Sequence, residues 1–244
     1  MGMIEMIQFL RQMYGKIGSN IYAGVGGQSN LQQISFMRQL QKEMKEKDVL
    51  DSPLNELRVV VFDIETTGFY PEKGDQVLSI GAIKMTGHQV HIDDTFYSLI
   101  HSELPLSDAI SSLTNIQEEQ LRTAPEAKEV LIQFFKYVHS DILVAHHAKH
   151  EQSFMQRMTW DIMRTRFEHR IIDTSFLIRL SNPTKRSLPL EEICEECGIE
   201  IKDRHHALGD AVMTASIWSC YLQKALTMGF KNLREVYEYL AHLK

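Results

Sequence analysis

Cysteine is scarce in this chain. Three residues, Cys194, Cys197 and Cys220, make an odd number without a paired framework, which excludes a disulfide-stapled fold and suits a reducing compartment. No hydrophobic run approaches the length of a transmembrane helix, and no N-terminal apolar stretch leads to a cleavage site. Internal repeats and low-complexity tracts are missing too, so solenoid and linker architectures are set aside. Basic residues are no surplus: the formal net charge is −6, unlike the basic footprint of a general nucleic-acid binder. The expectation is a cytoplasmic protein with no membrane partner. With 43% apolar residues in 244, it can bury one ordinary core plus a small appendage.

What is present begins with Val59-Val60-Val61-Phe62-Asp63-Ile64-Glu65-Thr66-Thr67-Gly68. As a strand, alternation sends Val59, Val61, Asp63 and Glu65 to one face and Val60, Phe62 and Ile64 to the other. The near-continuous apolar run predicts a central strand buried on both sides, with its carboxylates at the C-terminal end. Sites in open α/β sheets gather at strand carboxyl ends, and paired acids there need something positive. A divalent metal answers that need. Taken alone, the same residues also suit solvated acids ahead of a Thr-Thr-Gly turn.

Further acids arrive downstream. Leu143-Val144-Ala145-His146 is a second short apolar run, and Glu151 falls near the start of the helical pattern that follows it. Arg204-His205-His206-Ala207-Leu208-Gly209-Asp210-Ala211 opens a long amphipathic helix. Ala207 and Ala211 keep its first turns slim, so Asp210 could be aimed at Asp63 with His205 just ahead.

Other chemistries fail on spacing. The Gly-rich stretch from Gly18 to Gly27 lacks Gly-Lys-Ser/Thr and is no phosphate-binding loop. A zinc protease needs His-Glu-x-x-His, but His150-Glu151-Gln152-Ser153 runs into Phe154, and no His-Asp dipeptide occurs. Cys194 and Cys197 have metal-like spacing ahead of His205 and His206. Without a second cysteine pair they read better as two cysteines on one side of a helix from Leu190 to Gly198.

In order and separation these motifs resemble the DEDDh 3′–5′ exonucleases, which include the proofreading epsilon subunit of bacterial replicative polymerase. The resemblance covers residues 57 to 228. Asp63 to Gly68 matches the first motif unchanged, and His205, Asp210 and Ala211 match the third. Leu113-Thr114-Asn115-Ile116 sits where the family often has Gly-Ile-Thr, and Ile171-Ile172-Asp173-Thr174 fits its strand-end Asp-Thr. The second motif departs. Where the family has His-Asn-Ala-x-aromatic-Asp, this chain has His146-His147-Ala148-Lys149-His150-Glu151. Glu151 thus replaces an aspartate with the same oxygen chemistry on a longer arm.

The resemblance implies two divalent ions, Mg²⁺ or Mn²⁺, held by Asp63, Glu65, Asp210 and Glu151, with His205 as the general base. It implies substrate contacts from Thr66, Thr67 and Gly68, and from His146 and His147. The expected reaction releases nucleoside 5′-monophosphates from a 3′ end, of single-stranded DNA for preference, with RNA the other candidate. The altered second motif motivates an alternative, a catalytically weakened nucleic-acid-binding or polymerase-partner module. From Lys149 to Leu190 eight basic residues oppose four acidic ones, and Arg164, Arg166, Arg170 and Lys185-Arg186 are candidates for phosphate contacts.

The resemblance also implies a ribonuclease H-like α/β fold: a mixed five-stranded sheet flanked by helices, here with an N-terminal helical extension. Strands are expected near 58–65, 76–86, 89–100, 141–146 and 170–173. Helices are expected near 106–122, 125–139, 148–167, 174–181, 189–197, 207–228 and 231–243. Residues 1–55 would form the extension, with amphipathic helices over 3–17 and from Asn30 to about Lys47, and 56–244 the exonuclease domain. The extension could pack in cis, mediate dimerisation or dock a polymerase or another protein.

Overall fold

The computed structural model describes residues 35–36, 38–40, 42–44, 49–183 and 188–242. The helix expected over 3–17, the Gly-rich stretch, much of the 30–47 helix and the Lys185-Arg186 pair lie outside the described residues. Residues from Leu40 onward form one compact unit, and it contains every motif named above.

Five strands make a single mixed sheet in the order β3-β2-β1-β4-β5: β1 (Arg58–Thr66), β2 (Val77–Thr86), β3 (Gln89–Leu99), β4 (Ile142–Ala145) and β5 (Ile171–Asp173). β1 pairs antiparallel with β2 and parallel with β4, so the acid-bearing strand lies in the middle. Its two faces are both covered, which is why its sequence is apolar almost throughout. Val59 and Val61 join the large core cluster with Trp218 and Tyr221. On the opposite face, Phe62 meets the ring of Phe134 at 5.6 Å. The β2–β3 hairpin turns at Gly87, whose φ of 56° is the left-handed conformation that such a turn favours.

Helices complete the layers: α1 (Asp108–Thr114), α2 (Glu118–Arg122), α3 (Ala127–Val138), α4 (Lys149–Met163), α5 (Ser175–Ser181), α6 (Leu190–Cys197), α7 (Ala207–Thr227) and α8 (Leu233–His242). Two expectations are corrected. The helix read over 106–122 is broken by Asn115 at φ 57°, and Gln117 restarts it in a capping box, its backbone N–H donating to Gln120 Oε1 at 2.8 Å. The helix read over 148–167 stops at Met163, because Arg164 turns left-handed at φ 53° to send the chain back to β5. Apolar periodicity continued past both breaks and concealed them.

The segment just ahead of β1 is tied to the end of the chain. Asp51 pairs with Arg234 at 2.6 Å, Pro53 bridges Asn232, and the Leu54 amide donates to the Lys231 carbonyl at 2.8 Å. Leu54 itself is fully buried, so residues 49–55 pack with the body of this unit. No helix among the described residues is long and apolar enough to cross a membrane.

Candidate active site

Strand pleat and one close helix approach build the site. Asp63 and Glu65 leave β1 on the face covered by α7, as alternation requires. Opposite Asp63 in the register stands Gly81 of β2. The first turn of α7 rests directly on it, so Asp210, in that turn, reaches over to β1. Asp63, Glu65 and Asp210 each present a carboxylate oxygen within 4.8 Å of the others. Glu151 lies in the first turn of α4 and is buried; it is close enough to raise the Asp63 pKa, but outside that three-oxygen group.

Crowding of acids shows in their proton affinities. Burial, then Glu151, Asp210 and Glu65, push the Asp63 carboxyl well above the usual range, against the pull of Arg204. Burial and Asp210 raise Glu65 to about 7, and burial and Asp173 raise Glu151 to about 8. Asp210 is also raised by burial, although Arg204 and His205 favour its ionised form. Two buried oxygens, Asp210 Oδ1 and Glu151 Oε2, have no hydrogen-bond partner. Buried unpaired acceptors beside a carboxylate cluster are what a cation satisfies, and an all-oxygen donor set suits a hard divalent ion. The residues fit a metal centre.

The flanking histidines divide their roles. His206 caps α7, its Nδ1 accepting from the Gly209 amide at 3.4 Å while its ring stacks on Tyr97 at 4.4 Å. His205, at φ 60°, donates its backbone N–H to Asp210 Oδ2 at 3.3 Å, and its half-buried side chain is near enough to favour that carboxylate's ionised form. His146 is spoken for. Its Nδ1 accepts from the Thr174 hydroxyl at 2.7 Å and its Nε2 donates to the Leu188 carbonyl at 2.9 Å. Burial, then His147, lower it to about 4, so it is neutral. His147 is exposed beside it, with ring centroids 4.1 Å apart.

The Thr66-Thr67-Gly68 turn folds around Asp75. Thr67 Oγ1 donates to Asp75 Oδ1 at 3.3 Å, and the Tyr70 amide donates to Oδ2 at 2.8 Å. A Cβ on Gly68 would stand 2.4 Å from that carboxylate, so a side chain there would displace Asp75 from its hydrogen bonds. Thr66 Oγ1 donates to the Gly68 carbonyl at 2.7 Å and lies 3.5 Å from His150 Nε2.

Sequence reasoning assigned no role to three residues that the structure draws in. His150 packs between Thr66, Phe154 and the exposed Phe69. Asp173 accepts from the Ala148 amide at the start of α4 and from the Ser175 amide at the start of α5, at 2.7 and 2.8 Å. Arg204 pairs with both Asp210 and Glu191. Position after a strand was the available signal for Asp173; nothing in the spacing pointed to Arg204. Of the arginines expected near phosphate, Arg170 instead lies over the Tyr237 ring at 5.7 Å. A cavity of about 830 Å³ is lined by Tyr97, Arg204 and His206 among others but not by Asp63, Glu65, Glu151 or Asp210, and the chemistry lies with those four.

A family model described as an exonuclease, RNase_T, matches residues 60–218. Curated relatives include the PolC-type DNA polymerase III of Bacillus subtilis, 31% identical over 76% of this chain and 13% of its own length. The PolC-type enzyme of Caldanaerobacter subterraneus is 33% identical over 72% and 12%. A DNA polymerase III subunit epsilon-like protein of Rhodobacter capsulatus is 32% identical over 70% and 24%. The chain therefore spans a quarter or less of these relatives' length. Among solved structures, the nuclease domain of 3′hExo, a DEDDh family member bound to rAMP, has TM-score 0.59 at 21% identity, covering 72% of this chain and 96% of that one. E. coli exonuclease I in complex with a dT13 oligonucleotide has TM-score 0.59 at 14% identity, covering 70% and 42%. Both carry the same α/β fold.

Proposed function

The chain belongs to the exonuclease family that matches residues 60–218, with DEDDh exonucleases as its structural neighbours, and from that premise we propose that it is a divalent-metal-dependent 3′–5′ exonuclease. Single-stranded DNA is its favoured substrate, and nucleoside 5′-monophosphates are its products. The observation that carries this reading is the convergence of Asp63, Glu65 and Asp210 oxygens within 4.8 Å, beside buried unpartnered oxygens of Asp210 and Glu151.

Asp63, Glu65 and Asp210, with Glu151 alongside, would hold two ions, Mg²⁺ or Mn²⁺. When bound, they supply Lewis acidity at the scissile phosphate and charge to balance the attacking and leaving oxygens. His205 accepts the proton of the attacking water, a task its imidazole suits because a ring nitrogen can take up and release a proton. The backbone of the Thr66–Gly68 turn, held in shape by Asp75, cradles the terminal sugar. His147 and His150 flank the nucleotide. His146 supports this wall from behind rather than touching substrate, since both of its nitrogens are occupied.

DNA is preferred over RNA because the curated relatives are named as DNA polymerase components. The same names support a polymerase as partner, in the cytoplasm, docked through the N-terminal extension ahead of Val49, since residues 49–55 pack with the catalytic domain. The test is a 5′-labelled single-stranded oligonucleotide incubated with Mn²⁺ or Mg²⁺. A ladder shortening from the 3′ end, absent in Asp63→Ala, is expected. Substrate left intact but bound would favour the weakened binding module instead.

A further inference from the structure

Arg204 stands one residue ahead of His205, outside the spacing that defines the third motif. Its guanidinium joins two carboxylates of very different standing. Nε and Nη2 reach Glu191 Oε1 at 2.7 and 2.6 Å, while Nη1 donates to Asp210 Oδ2. Glu191 is in the first turn of α6 and belongs to none of the motifs. Asp210 is in the metal-binding group. The pair with Asp210 is largely sheltered, at 22% and 8% side-chain exposure, so its electrostatics are only partly screened by solvent.

Two consequences follow from this bridge. Asp210 Oδ2 is taken by Arg204 and by the His205 amide, so Oδ1, buried and unpartnered, is the oxygen left for a cation. Arg204 also plants a permanent positive charge at the edge of a site built to attract cations. Four ionised carboxylates, two divalent ions and one phosphodiester leave a single negative charge over, and Arg204, itself partly neutralised by Glu191, offsets part of it.

We propose that Arg204 is a positioning and charge-setting residue for the cation site: it restricts Asp210 to ligation through Oδ1 and weakens divalent binding, with Glu191 as its anchor and partial neutraliser. The inference rests on the exonuclease reading of the same site. A fork-shaped guanidinium suits the role, because one face serves Glu191 while a separate N–H serves Asp210. Like charges repel most strongly where water is excluded, so this one arginine sets how readily metal is held and exchanged. The effect of the surrounding charges is visible at Asp63 and Glu65, whose ionised forms Arg204 stabilises.

The experiment is Mn²⁺ titration of the 244-residue protein followed by the EPR signal of free Mn²⁺, at a pH above 8.5, beside thermal unfolding in EDTA. Arg204→Gln keeps a hydrogen-bonding amide but loses the charge, and should bind Mn²⁺ at least about tenfold tighter. Glu191→Gln leaves the arginine charge less neutralised and should bind Mn²⁺ about threefold or more weaker. Arg204→Lys should stay near wild type in affinity, and Glu195→Gln, on the next turn of α6, serves as the control. A merely structural bridge would lower the melting temperature of both the Arg204→Gln and Glu191→Gln variants and leave Mn²⁺ affinity unmoved. That outcome, or shifts of the same sign in both, overturns the proposal. If wild type shows no Mn²⁺ binding that Asp63→Ala abolishes, the exonuclease reading itself fails, and this inference with it.

Discussion

Gly81 and Leu208 meet backbone to backbone: a Cβ added at Gly81 would stand 2.2 Å from the Leu208 nitrogen, and 2.3 Å from the Ala207 carbonyl carbon. That contact seats the first turn of α7 beside Asp63 and so brings Asp210 to the site. Backbone cannot swing aside as a side chain would. Gly81→Ala is expected to cost about 1–3 kcal/mol of stability, the usual penalty of overpacking. It should also cut nuclease activity more than about 100-fold, equivalent to about 2.7 kcal/mol of barrier, by displacing Asp210. Thermal unfolding and an oligonucleotide assay check both. Full activity in a folded Gly81→Ala protein would show that the helix does not depend on this seat.

Proton competition at the carboxylates gives a pH signature. Glu65, raised to about 7 by burial and Asp210, and Glu151, raised to about 8 by burial and Asp173, bind protons more tightly folded than unfolded. Their protonated forms therefore favour the fold below the unfolded pKa near 4.5, and that contribution is lost as pH climbs through 7 and 8. In EDTA the melting temperature should fall between about pH 5 and 8.5, and the gain from added Mn²⁺ should grow over the same window. A Mn²⁺ gain independent of pH would mean that these acids do not hold the ion.

Glu151 reaches the cluster from the first turn of α4 with one buried oxygen unpartnered. Shortening it by a methylene retracts that oxygen without removing its chemistry. Glu151→Asp is expected to change kcat less than about tenfold, or about 1.4 kcal/mol. Single-turnover digestion of a short oligonucleotide measures it directly. A large gain would identify the native glutamate as a compromised site.

His146 holds the Leu188 carbonyl and the Thr174 hydroxyl, so it ties the loop before α6 to the strand ends. His146→Ala leaves the buried Thr174 hydroxyl and the half-buried Leu188 carbonyl without this partner and is expected to lower stability by about 1–3 kcal/mol. KM for an oligonucleotide should stay within about threefold. A normal melting temperature with a strongly raised KM would return His146 to the substrate.

The mixed five-stranded sheet was implied by the family resemblance, whereas the central place of β1 and the face on which Asp63 and Glu65 emerge were readable from period-2 patterning and a doubly buried strand. The third motif was readable for the same reason: Ala207 and Ala211 announced a close helix. Breaks at Asn115 and Arg164 were hidden, since a left-handed residue ends a helix without altering its apolar periodicity. Side-chain allegiance was hidden more deeply. His146 and His147 look equivalent in sequence, yet one is held by two hydrogen bonds and the other is exposed. Arg204 became visible only when α6 brought Glu191 to its other side, a contact between elements that spacing does not encode.

The most direct measurement is hydrolysis of a single-stranded oligonucleotide in ¹⁸O-labelled water with Mn²⁺, followed by mass spectrometry of the products. The expected result is nucleoside 5′-monophosphates released from the 3′ end with ¹⁸O in their phosphate, and none from Asp63→Ala. Products bearing 3′-phosphates, release from the 5′ end, or undiminished release by Asp63→Ala would contradict it.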